Sequence, residues 1–182
     1  MGTKQTLAGP GQVAVAGAAA YVEGPGASGS DFDFFVGEWD VHVTYHGADG
    51  GVDVEQTGRW SARSLFDGRM IEDCCQTRDE NGVDVAAVVT LRTYCVATAQ
   101  WEMVFLWAQR PVPTLTSFVG NRVDGEMRLT AQQLTPDGSV IPARIRFYEI
   151  TKDSFLWESC LSFDGGATWR VQMAIKARRS AA

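Results

Sequence analysis

DFDFFVGEWDVHVTY, residues 31–45, decides the fold. From Trp39 onward apolar and polar residues alternate: Trp39, Val41, Val43 and Tyr45 share one side, and Asp40, His42, Thr44 and His46 share the other. Successive side chains of a strand point to opposite faces, so this is a half-buried strand whose second set meets solvent.

The same texture continues to the C-terminus. Short runs rich in Val, Phe, Trp and Thr are separated by turn signals: Gly47 to Gly51 (GADGG), Phe66-Asp67-Gly68, Asp79 to Gly82 (DENG), Asp124-Gly125, Pro136-Asp137-Gly138 and Asp164-Gly165-Gly166. Asp-Gly and Asn-Gly favour the tight turns that join antiparallel neighbours. Between them the sequence predicts ten strands, near 36–46, 52–63, 69–78, 83–94, 99–109, 115–122, 126–134, 140–150, 154–162 and 168–178. No helix of ordinary length is left over. Ten strands joined as successive hairpins would leave long edges in an open sheet, whereas closure pairs both edges. The fold class is therefore all-β: a single antiparallel up-and-down β-barrel of about ten strands, with a split sandwich as the alternative.

The 182 residues, 45% of them apolar, suffice for one buried core and are short for two domains. Residues 1–30 read as a disordered arm, since seven Gly, seven Ala and two Pro leave nothing to bury, although Val13 to Val22 (VAVAGAAAYV) could cover the barrel mouth. Residues 31–182 form the binding domain. That apolar stretch imitates a signal peptide poorly, being mostly Ala, and no segment approaches the roughly 20 apolar residues of a membrane span. Acidic residues outnumber basic ones by 22 to 16, for a net charge of −6, and no basic stripe forms. Nucleic acid and anionic membranes are thus not expected partners. Cys74, Cys75, Cys95 and Cys160 make no Cys-x-x-Cys pair and read as free thiols of a cytoplasmic protein, with a bridge from Cys160 as the alternative.

Alternation assigns the inner face. Trp101, Met103, Phe105 and Trp107 fall together in the fifth strand, Ile141, Ala143, Ile145 and Phe147 in the eighth, Phe155, Trp157, Ser159 and Leu161 in the ninth, and Trp169, Val171, Met173 and Ile175 in the last. Ten strands enclose more space than eight, so such a lumen could hold a hydrophobic small molecule; the same stripes could equally be packed core. Trp101, Met103, Phe105, Trp107, Phe147, Trp157, Trp169 and Met173 are the candidate ligand contacts. Trp107 to Pro113 (WAQRPVP) reads as a stiff rim loop, and an apolar rim could serve a homodimer contact.

Asp31 to Tyr45 resembles the opening of calycin-like (lipocalin-like) barrels, in which a Gly-x-Trp, here Gly37-Glu38-Trp39, plugs the closed end of the cup. More narrowly, Phe32-Asp33-Phe34 followed by Gly37-Glu38-Trp39, with the ending Ser162 to Trp169 (SFDGGATW), is similar to a largely uncharacterised bacterial family related to nitrobindins. The resemblance spans Asp31 to Arg178. It implies structural roles for Gly37 and Trp39, with Trp39 packing against a basic side chain of the last strand such as Lys176 or Arg178. It also implies haem held by a histidine near the chain end, and here the sequence departs: its only histidines, His42 and His46, lie on the first strand, on the face expected to point outward. No cofactor is therefore expected. Two His four apart on a strand sit roughly 13 Å from each other, so no metal site is expected either. The ending also matches the Asp-box of sialidase propellers, but it occurs once, and a propeller needs repeats.

Chemistry in such a cup would need a proton donor or acceptor whose pKa desolvation has shifted. Asp73 shares a face with Ile71 and Cys75, Tyr45 with Trp39 and Val43, and Glu149 with Phe147. Glu102 and Glu158 lie opposite Trp101 and Trp157 and could turn inward at a bulge, and His42 could act as a base from the surface. Each of these also has a plain reading as a solvated or hydrogen-bonded strand residue. No Gly-x-Ser-x-Gly elbow, activated cysteine or phosphate loop is present. Two functions lead, with a haem-binding nitrobindin-like barrel, as the resemblance implies, kept as a further alternative. One is a cofactor-free isomerase or cyclase of bacterial secondary metabolism, in keeping with an Ala, Gly, Asp and Arg-rich composition. The other is a carrier for a hydrophobic ligand. A buried ionisable group without a counter-ion would favour the enzyme, and an apolar lumen the carrier.

Overall fold

The computed structural model describes residues 28–108, 115–135 and 137–181. The expectations placed on residues 1–27 and on 109–114 of the rim loop lie outside them. Ten strands follow in order: β1 (Gly37–His46), β2 (Val52–Leu65), β3 (Met70–Arg78), β4 (Asp84–Cys95), β5 (Gln100–Trp107), β6 (Thr116–Val123), β7 (Glu126–Leu134), β8 (Val140–Tyr148), β9 (Ser154–Leu161) and β10 (Arg170–Arg179). Each pairs antiparallel with its sequence neighbours, and β10 returns to β1, closing the barrel. The fold is the all-β meander expected, with strand bounds within three residues of those read from the turn signals.

One element was not foreseen, a single 3₁₀ turn at Asp33–Phe35. It tucks Phe32 and Phe35 under the barrel, both fully buried. Gly37, at a φ of 134°, then swings the chain into β1, and a side chain there would strike the Arg179 guanidinium. Trp39 donates its indole N–H to the Phe35 carbonyl at 2.8 Å. The Arg179 guanidinium lies 4.1 Å over the Trp39 ring and donates to the carbonyls of Phe34 and Val36. The basic partner on the last strand is Arg179 and not Lys176 or Arg178 as expected, because register pairs Trp39 with Arg179 while Lys176 and Arg178 fall on the outer face. Edge-to-face contacts of Phe32 with Trp101 (5.0 Å) and of Phe35 with Trp60 (5.0 Å) complete the closed end.

Candidate functional site

The floor of the barrel is built on a buried ion pair. Asp73 on β3 and Arg92 on β4 hydrogen-bond to each other with both side chains shut off from solvent. The Trp60 indole N–H donates to the other Asp73 oxygen at 2.6 Å. Two guanidinium nitrogens of Arg92 have no hydrogen-bond partner. Instead the group lies 4.7 Å above the Phe32 ring and 4.5 Å above the Phe35 ring, whose π faces take up the charge. Burial pushes the Asp73 carboxyl up, against the pull of Arg92 and the indole bond. Asp73 thus has a counter-ion, and Trp60 stands between it and the space above.

Above the floor lies a cavity of about 640 Å³, within the range of small-molecule sites. Trp60, Val43, Val88, Phe118, Ile145 and Trp157 line it, and it opens toward the β1–β2, β3–β4, β7–β8 and β9–β10 hairpins. Near the mouth three strands each carry one extra residue: Asp53 on β2 beside Tyr45 and His46, Val85 on β4 beside Thr77 and Arg78, and Gln172 on β10 beside Ser159 and Cys160. A bulge interrupts alternation and re-aims side chains. As a result Tyr45 with His46, Val85 with Ala86, and Gln172 with Met173 are consecutive residues that all line the cavity.

The polar wall groups are mostly neutral: Tyr45, Thr77, Thr116, Gln133, Ser159 and Gln172. Burial raises the Tyr45 phenol pKa, so the group is a neutral hydrogen bonder at physiological pH. Burial likewise pushes the Cys75 thiol up to about 12, which removes it as a nucleophile. Charge enters the described wall only at His46 and Asp53 near the mouth. His46 Nδ1 lies 3.3 Å from the Gly50 carbonyl.

Of the residues singled out in the sequence, Tyr45, Phe105, Trp107, Trp157 and Met173 line the cavity. Trp101, Met103 and Phe147 are buried in the core outside its wall, and Asp73 lies beneath Trp60. Glu102 is exposed on the outer face. Glu158 is also on the outside, bonded to Arg146 at 2.7 Å, because no bulge shifts its strand inward. His42 faces out, 3.9 Å from Glu55, and Glu149 is exposed beyond the end of β8. Two face assignments are corrected by the bulges. Gln172 reverses the parity of everything before it on β10, so Val171 and Trp169 leave the cavity wall, and the Arg144 guanidinium packs 4.2 Å over the Trp169 ring. His46, at the end of β1 where its pairing with β2 becomes irregular, lies in the wall, where alternation had placed it outside. Trp60 and Arg92 were missed although both carried a signal, Trp60 by alternation on its strand and Arg92 as a lone cation in an apolar run.

The haem histidine that the resemblance implies near the chain end is not there: β10 presents Gln172 and Met173 to the cup, the one histidine of the described wall is His46 of β1 at the mouth, and that wall has no Lys or Arg to meet two propionates.

No protein-family model matches the sequence, and no curated protein does. Solved structures do match. "Rv2717c from M. tuberculosis" aligns at a TM-score of 0.63 with 16% identity, over 86% of this chain and 100% of that one. The S-type phycobiliprotein lyase CPES from Guillardia theta aligns at 0.54 with 14% identity, over 83% and 91%. At such identities the likeness speaks for the fold alone. The chain is a calycin-like, ten-stranded closed barrel.

Proposed function

We propose that this protein is a carrier that shelters one apolar small molecule in its cup. The observation that carries this reading is the 640 Å³ cavity with its aromatic and aliphatic wall, combined with a core carboxylate already neutralised by Arg92. Burial of an apolar body against Trp60, Phe118 and Trp157 supplies the affinity, and the neutral polar groups orient it. Native mass spectrometry of protein from its own host, followed by denaturing release, tests the reading. A co-purifying apolar molecule that is displaced in Ser159→Trp, which fills the cup, is the expected result. A protein that retains nothing and binds no apolar probe contradicts it.

A cofactor-free isomerase or cyclase is the second reading, favoured by one observation: Tyr45, His46 and Asp53, groups able to donate or accept a proton, lie in the wall together. Asp73 has no part in it, being covered by Trp60. Under this reading the released molecule converts to an isomer on incubation, and Tyr45→Phe slows turnover by about 10²-fold or more while binding persists. Unchanged ligand after prolonged incubation rules it out.

A further inference from the structure

Acidic residues predominate around the described mouth of the cup. The described wall contains no Lys or Arg. The described residues of four mouth hairpins, 47–51, 79–83, 135–139 and 162–169, include Asp49, Asp79, Glu80, Asp137 and Asp164. The cations beside them are engaged, Arg170 donating to the Ala48 carbonyl at 2.7 Å and lying 4.4 Å over the Phe163 ring, and Arg78 paired with Asp84. Asp53 adds a carboxylate where the wall meets this mouth. The buried guanidinium of Arg92 offers no compensation, since it is bonded to Asp73 beneath the Trp60 indole. What the wall does offer are neutral donors and acceptors, the hydroxyls of Tyr45, Thr77, Thr116 and Ser159 and the amides of Gln133 and Gln172.

An anionic head group entering here sheds hydration, finds no Lys or Arg in the described wall and only the His46 imidazole at its rim, and meets a mostly acidic mouth, and an unpaired charge taken from water is costly. A hydroxyl or carbonyl oxygen loses far less and can be matched by the wall. We infer that the cup selects by charge, taking uncharged apolar molecules that bear hydroxyl or carbonyl oxygens and excluding carboxylate amphiphiles such as fatty acids. This rests on the reading of the cup as a binding site.

Two probes with the same apolar body separate the two claims. 1-Pyrenemethanol and 1-pyrenecarboxylate are titrated at pH 7 and low salt into the full chain, with pyrene emission and tryptophan quenching as readouts. The alcohol is expected to bind, and the carboxylate to bind at least about tenfold more weakly. The gap narrows as salt screens the mouth. In Asp53→Lys the carboxylate-to-alcohol affinity ratio rises by about tenfold, and in Asp53→Asn by less. Asp53 is exposed, so both variants are expected to unfold at the same urea concentration as the parent. Carboxylate binding as tight as that of the alcohol, or a ratio unmoved by Asp53→Lys, overturns the charge selection and leaves the cup standing. Failure of the alcohol itself to bind overturns the cup, and the selection with it.

Discussion

Asp73 and Arg92 set the chemistry of the barrel floor. A buried ion pair adds little net stability, but breaking one strands a charge in a medium that cannot solvate it. Asp73→Leu is therefore expected to destabilise the protein by about 3–5 kcal/mol. The double variant Asp73→Leu/Arg92→Met should recover much of that loss, as measured by urea unfolding followed through tryptophan emission. Equal losses in the single and double variants would show that Arg92 is satisfied by the rings of Phe32 and Phe35 alone. At the mouth the carboxylates work differently. Asp164 accepts from Thr168 and Ser162, and Asp137 from Thr135 and Ser139, bonds that hold both pKa values down to about 2. Because the folded pKa lies below the ordinary 3.8, their contribution is fully present above about pH 4 and lost as pH falls through 2. Stability of Asp164→Asn should accordingly change less than that of the parent between pH 4 and 2, and an identical pH dependence would discount the turn bonds.

The strands were legible because most carry a two-residue alternation and six of the nine connections contain glycine, and the antiparallel meander follows from their short connections. The inner face was legible only between the bulges. Nothing in Arg170-Val171-Gln172-Met173 marks Gln172 as the extra residue, since a bulge depends on the register of β9 against β10 and not on local residue preference. This is why Trp169 was misplaced and why His46, Asp53 and Gln172 went unrecognised as wall residues. The 3₁₀ turn under the barrel escaped for a related reason, because three residues carry no periodic signal. Gly58 and Gly120, by contrast, reveal their purpose only in the assembled sheet. A side chain on Gly58 would collide with the Gln76 carbonyl, and one on Gly120 with that of Arg128. Gly58→Ala is expected to cost roughly 1–3 kcal/mol of stability in urea unfolding, and a neutral result would mean that β2 relaxes freely there.

At the scale of the whole molecule the two ends of the barrel do opposite work. The closed end is a buried aromatic plug clamped by Arg179. The open end is irregular, acidic and hydrogen-bonded within its own turns. Between them ten strands leave a space that eight would fill with side chains. Function at this scale depends on whether an apolar molecule enters that space. The direct test is a methyl NMR titration of the full chain with 1-pyrenemethanol. Entry into the cup shifts the methyl signals of Val43, Val88, Ile145, Met173 and Ile175 together, while Val96 and Val140 on the outside stay fixed. Shifts confined to outer-face methyls, or no shifts at saturating probe, would contradict the cup as a binding site.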